Sequence, residues 1–174
     1  MSAMDTDGGK RGNRRWLTWA RDLALVFILV LLFQWWQTAN MASGPAPALA
    51  GSMLDGEILD LQDLRGKPVL VHFWATWCPI CRAEDGSIHD LAQDYEVLTV
   101  ATNSGDAGGI RRYMEEQGLQ FAVMLDESGE MGNRWGVKGV PSSFFIDGSG
   151  QIRSVAVGYT TGIGLRMRLW LAGR

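Results

Sequence analysis

Residues Val69-Leu-Val-His-Phe-Trp-Ala-Thr-Trp-Cys-Pro-Ile-Cys-Arg-Ala-Glu84 decide the fold. The first six make a near-continuous apolar run, the pattern of a central strand covered on both faces. Cys78 and Cys81 follow, and the chain has no other cysteine. A structural disulfide framework needs more cysteines at wider spacing, so this pair is a chemical site. A helix is expected from the cysteines to about Asp94, with Ile80, Ser87, Ile88, Leu91, Ala92 and Tyr95 at 3–4 spacing on its inner face. Gly86 inside it costs about 1 kcal/mol against Ala and marks a place for a bend.

That location sets the chemistry. A thiolate at a strand-to-helix junction faces unpaired backbone N–H groups and the positive end of the dipole, and both favour the anion. Pro79 suits the first helical turn, where its missing N–H would have no partner. Cys78, the first and more exposed thiol, is expected to attack a partner disulfide; Cys81, one turn deeper, is expected to resolve the mixed disulfide. The pair would then cycle between a dithiol and the redox disulfide Cys78–Cys81. A C-x-x-C pair can also be half of a zinc site, which needs two more ligands. The only histidines are His72, in the strand, and His89, late in the helix. No metal and no cofactor is expected; an inert core pair and a copper-binding or other metal-binding module are the competing readings.

Downstream, residues 97–101 read as a strand, and 110–117 as a helix with Ile110, Tyr113 and Met114 inward, stopped by Gly118. Another extended segment spans 121–125, and a short helix roughly 129–135. Residues 142–146 and 151–156 flank Asp147-Gly-Ser-Gly150, a hairpin by its turn chemistry. A last helix covers about 161–171. Upstream, Met53 to Leu59 carries an Asp-Gly hairpin signal, and 62–66 looks like a single helical turn. Strand–helix–strand–helix, then a hairpin and a helix, is an α/β mixed sheet with helices on both faces.

The active-site stretch resembles that of thioredoxins. With Asp63-Leu-Arg-Gly-Lys-Pro68 before it and Gly136-Val-Lys-Gly-Val-Pro-Ser-Ser-Phe-Phe-Ile-Asp147 after it, residues 53–172 are similar to the membrane-anchored TlpA/ResA/CcmG (DsbE) branch. Cys-Pro-Ile-Cys, Ser104-Gly-Asp106 and Val157-Gly-Tyr-Thr-Thr161 bring it nearest to the suppressor-of-copper-sensitivity D type. The resemblance implies a thioredoxin fold with an N-terminal β-hairpin extension, and Pro141 as a cis-proline beside the cysteines. It makes Val140 the backbone that pairs with a substrate segment, with Trp77 and Ile80 as further substrate contacts. Thioredoxins carry a buried Asp where this chain has His72, which could move a proton or simply be a hydrogen-bonded strand residue. Glu84 matches the branch's acid one turn past the second cysteine, either structural or a second proton-transfer candidate. Gly86 replaces a Pro common in the branch.

The N-terminus points to a membrane. Residues 1–21 hold five basic side chains against two acidic ones, although the whole chain of 174 residues is at −3. The body is therefore acidic, which excludes the basic face that nucleic-acid binding requires. Residues 1–15 read as a cytoplasmic basic leader and 16–36 as a transmembrane anchor, about 31 Å if helical, with Trp16, Trp19, Trp35 and Trp36 at its ends. A cleaved signal peptide is the competing reading. Residues 37–52, rich in Ala, Gly and Pro, read as a linker, and 53–174 as the thioredoxin-like domain. Basic residues before the span place the domain on the side away from the cytoplasm; the resemblance makes that side the periplasm of a bacterial inner membrane. Expected partners are protein disulfide or dithiol substrates and, by the resemblance, a transmembrane electron donor, with a link to copper or oxidative stress. The resemblance favours a reductant of protein disulfides; a disulfide-forming oxidant on the same fold is the alternative.

Overall fold

A computed structural model describes residues 16, 19–29 and 41–174. The chain divides into two compact units, Met1–Ala39 and Asn40–Arg174. In the first, residues 19–29 are helical and exposed. Among the described residues no helix is long and apolar enough to cross a membrane. The leader (1–15) and much of the expected anchor (17–18 and 30–36) lie outside the described residues.

The second unit is an α/β domain. In chain order it contains β1 (Gly44–Pro45), β2 (Ala50–Ser52), β3 (Ile58–Asp60), a 3-10 turn (Leu61–Leu64), β4 (Val69–Trp74), α1 (Pro79–Ala92), β5 (Glu96–Thr102), α2 (Ala107–Gln117), β6 (Ala122–Asp126), α3 (Glu130–Arg134), β7 (Ser142–Ile146), β8 (Gln151–Val157) and α4 (Gly162–Ala172). Six strands form one sheet in the order β1-β8-β7-β4-β5-β6. β4, β5 and β6 run parallel, joined by the crossover helices α1 and α2, while β7 lies antiparallel to β4 and β8 antiparallel to β7. β4 lies at the centre with all six of its residues buried, as its apolar run requires.

Local chemistry sets the helix ends. The Asp106 carboxylate accepts from the Gly109 N–H and starts α2. Gly118 stops it in the left-handed conformation at φ 65°, where a side chain would be strained. The Asp-Gly turn closes β2 on β3 as a two-stranded hairpin, with Ala50 opposite Asp60 and Ser52 opposite Ile58.

The expected linker, 37–52, is corrected from residue 41 onward. Gly44 pairs with Ile152 and Pro45 with Gln151 at the sheet edge, where a proline removes no ladder bond that the sheet needs. Leu49 and Met41 are buried among the core residues. Gly51 is small because it is crowded: a Cβ there would lie 2.6 Å from Met131 Cε. Its composition reflects close packing, so the domain begins near residue 40 instead of Met53.

On α1 the buried positions are Cys81, Glu84, Asp85, Ile88 and Leu91. Ile80, expected inward, is half exposed, because two acids take the inner face one turn past the second cysteine. Below β4, Trp135 is fully buried, 4.9 Å from Phe144 and 5.6 Å from Phe73 between ring centres. Trp135→Ala is expected to cost about 3–5 kcal/mol, read as a lower urea midpoint at unchanged slope.

Candidate active site

The C-terminal end of β4 delivers the chain to Cys78, which is both the N-cap of α1 and the first thiol. Its Sγ accepts a hydrogen bond from the Cys81 N–H at 3.2 Å, the contact expected of sulfur at a helix start. Pro79 occupies the first turn, where no donor is lost. Both cysteines are free thiols; Cys78 is 4% exposed and Cys81 fully buried. Burial above all pushes the Cys81 thiol far up, with its hydrogen bond and charge contact to Cys78 and the charge of Asp85 adding; the Ala75 backbone opposes them. The arrangement pairs a shallow sulfur that meets a partner with a deep one that keeps its proton.

The Val140–Pro141 bond is cis. It turns the loop before β7 so that the Val140 carbonyl accepts from Cys78 Sγ at 3.5 Å. The Pro141 carbonyl accepts from the Gly158 N–H at 2.9 Å, which ties this loop to the end of β8. Trp77 projects outward, 63% exposed, with its ring N–H on the Asn103 carbonyl at 2.9 Å. Ile80 and Tyr159 are also exposed. The Ser104 hydroxyl accepts from the Thr76 N–H at 3.2 Å, fixing the loop after β5 against the site. Trp74, by contrast, is core, its ring N–H on Thr99 Oγ1 at 3.1 Å.

The two proton-transfer candidates differ. His72 faces Ser143 across β4 and β7, its Nδ1 2.9 Å from Ser143 Oγ, and burial pushes its pKa down to about 3. It is neutral at physiological pH, and its ring is engaged within the sheet. Glu84 is fully buried; Oε1 accepts from the Thr160 N–H at 3.2 Å and Oε2 has no partner. Burial pushes its pKa up to about 7, the Thr160 N–H opposes this, and the Asp85 charge adds to it.

Sequence reasoning passed over Arg82, Asp85 and Tyr159, and read Tyr113 only as a core residue. Asp85 is buried and accepts from the Tyr113 hydroxyl at 2.5 Å, and the Arg82 guanidinium stands 5.7 Å from the centre of the Tyr113 ring. Tyr159 lies next to Gly158, whose N–H holds the cis-proline loop. The readable signal for Asp85 was an acid four residues past Cys81, on the face that also carries Ile88. No cluster of three or more His, Cys, Asp or Glu able to hold a metal occurs among the described residues.

The AhpC/TSA family model matches residues 43–155, which takes in the helix-capping cysteine, the cis-proline and the strands between them. The chain belongs to the AhpC/TSA family. It is 36% identical over 122 residues to thiol:disulfide interchange protein DsbE of Pseudomonas fluorescens, covering 69% of this chain and 68% of that one. It is 32% identical over 129 residues to thiol-disulfide oxidoreductase ResA of Geobacillus thermodenitrificans, covering 72% and 74%. A solved thiol:disulfide interchange protein of the thioredoxin family from Chlorobium tepidum superposes with a TM-score of 0.66 at 28% identity, covering 75% of this chain and 97% of that one. The α/β fold read from the strand and helix pattern is thus the thioredoxin fold. The enzyme class is the one the cysteine pair implied, a thioredoxin-like thiol–disulfide oxidoreductase of the ResA and DsbE kind.

Proposed function

We propose that this oxidoreductase is tethered to the bacterial inner membrane by residues 16–36 and reduces protein disulfides in the periplasm. Cys78 attacks the partner's disulfide and Cys81 releases the product by closing the ring. Trp77, Ile80 and Tyr159 form the apolar rim a partner meets, and the Val140 backbone pairs with its extended segment. The basic leader followed by an apolar run supports the tether and its orientation. A transmembrane thiol carrier restores the dithiol.

One observation carries the reducing direction: a buried carboxylate, Asp85, lies one turn beyond Cys81 on the same helix, and its charge opposes ionisation of that thiol. Negative charge beside the pair disfavours thiolates, whereas the disulfide carries no charge. The balance therefore moves toward the oxidised enzyme, which makes the dithiol a better electron donor.

The test is the steady-state redox form in cells. After acid quenching, a maleimide mass tag should shift the full-length chain by two tags, because both cysteines are reduced. An untagged chain would transfer the assignment to a disulfide-forming oxidant.

A further inference from the structure

Asp85 has so far entered only as a charge near Cys81, yet its surroundings are specialised for more than that. It lies four residues past Cys81 on α1, so the two side chains share one face within about 6 Å at Cβ. Both are buried, and Trp74 of β4 and Tyr113 of α2 belong to the apolar cluster that encloses Cys81. Inside this cluster the carboxylate is held by the Tyr113 hydroxyl at 2.5 Å. The Tyr113 ring itself is fixed, its centre 5.6 Å from that of Trp74 and 5.7 Å below the Arg82 guanidinium. A buried carboxylate is costly unless it is hydrogen-bonded, so packing alone would favour an apolar residue here, and Asp85 comes with its own donor. Its neighbour Glu84 turns elsewhere, to the Thr160 N–H. His72, at the position where thioredoxins carry an acid, is bonded to Ser143.

We propose that Asp85, oriented by Tyr113 and Arg82, governs the proton on Cys81: it keeps that thiol protonated in the resting dithiol and receives the proton when Cys81 attacks. The proposal rests on Cys78 as the attacking and Cys81 as the resolving thiol. In the step, the Cys81 S–H bond breaks and its proton passes to the Asp85 carboxylate. The new thiolate displaces the partner's sulfur from Cys78, forming the Cys78–Cys81 bond. The partner's thiolate leaves with the electron pair of the broken disulfide and takes a proton from solvent, to which Asp85 returns its own. Two electrons pass from the enzyme's sulfurs to the partner's.

The groups facing Asp85 decide how it titrates. Burial raises its proton affinity first of all; the Tyr113 hydroxyl from α2 and the Arg82 charge from its own helix lower it. Along α1, Cys81, Glu84 and His89 are the other ionisable residues within one turn of it, and β4 contributes the Trp74 ring to the cluster around Cys81.

The test uses the reduced full chain in detergent and one equivalent of 5,5′-dithiobis(2-nitrobenzoate), followed by stopped flow from pH 5 to 9. Attack by Cys78 releases the first thionitrobenzoate; resolution by Cys81 releases the second. In the parent protein the second phase should level off above the Asp85 transition. Asp85→Asn should leave the first phase within about twofold and slow the second at least about tenfold at pH 7, now rising about tenfold per pH unit. Tyr113→Phe keeps the ring and its packing, and should move the acid limb of the second phase to higher pH, because a donor to the carboxylate is gone. A second phase with unchanged rate and profile in Asp85→Asn would overturn the proposal, as would Glu84→Gln reproducing the altered profile. Loss of the first phase in the parent protein would instead overturn the assignment of Cys78.

Discussion

Cys81→Ser in the full-length chain should accumulate a covalent adduct through Cys78 that survives a non-reducing gel and disappears with dithiothreitol. The reason is geometric. Cys78 remains the cap of α1, with the residue-81 N–H on its sulfur and the Val140 carbonyl beside it, so attack on a partner disulfide is preserved. What is lost is the only internal group that can displace the partner, since a serine hydroxyl is not ionised near neutral pH and does not attack disulfides. Turnover in a protein disulfide reduction assay should fall at least about 10³-fold. Cys78→Ser should lose as much and form no adduct, and the double variant should be no worse than either, because the two sulfurs act as a unit. The identity of the trapped protein bears on the membrane reading. A polytopic thiol carrier among the adducts would fit a periplasmic reductant fed across the bilayer, and an absence of adducts would remove Cys78 from the nucleophile's role.

The sheet and the redox pair were legible because they depend on local signals. β4 could be read from a six-residue run that is apolar except for His72, α1 from a C-x-x-C with Pro79 at its start, and the hairpin of β7 and β8 from Asp-Gly-Ser-Gly between two strand-forming segments. The edge strand at Gly44–Pro45 was not legible. Its two residues have the composition of a linker, and only β8, more than a hundred residues later, supplies their partners. Ile80 was misread for a related reason: helical spacing locates a stripe, but Glu84 and Asp85 occupied the inner face that apolar residues were expected to fill. Those acids are where pattern and packing disagree, and the disagreement falls on the helix that carries the thiols. Local rules fail where a site needs something other than stability. The carbonyl of Val140 beside Cys78 is a tertiary fact of this kind too, set by the loop before β7 and invisible in residue spacing.

Glu84→Gln should stabilise the reduced protein at neutral and alkaline pH and leave it nearly unchanged in acid. The native carboxyl, buried with Oε2 unpartnered, has its pKa pushed up to about 7, against about 4.5 in the unfolded chain. Between these values the folded state binds the extra proton, so stability falls as pH rises through the window. The full difference is absent below about pH 4 and complete above about pH 8. A shift of this size corresponds to roughly 3 kcal/mol, and the hydrogen bond from the Thr160 N–H, which the glutamine oxygen can keep accepting, is common to both proteins. Urea unfolding of parent and variant at pH 4.5 and pH 8, both held reduced, should therefore give midpoints that nearly coincide in acid and separate in base, with the variant higher. The sign discriminates between roles for the acid. If Glu84 were an ordinary stabilising partner of the Thr160 loop, the variant would be less stable at pH 8. A gain there means that the fold tolerates a carboxylate it would be more stable without, which is the expected mark of a group retained for the chemistry of the neighbouring thiols.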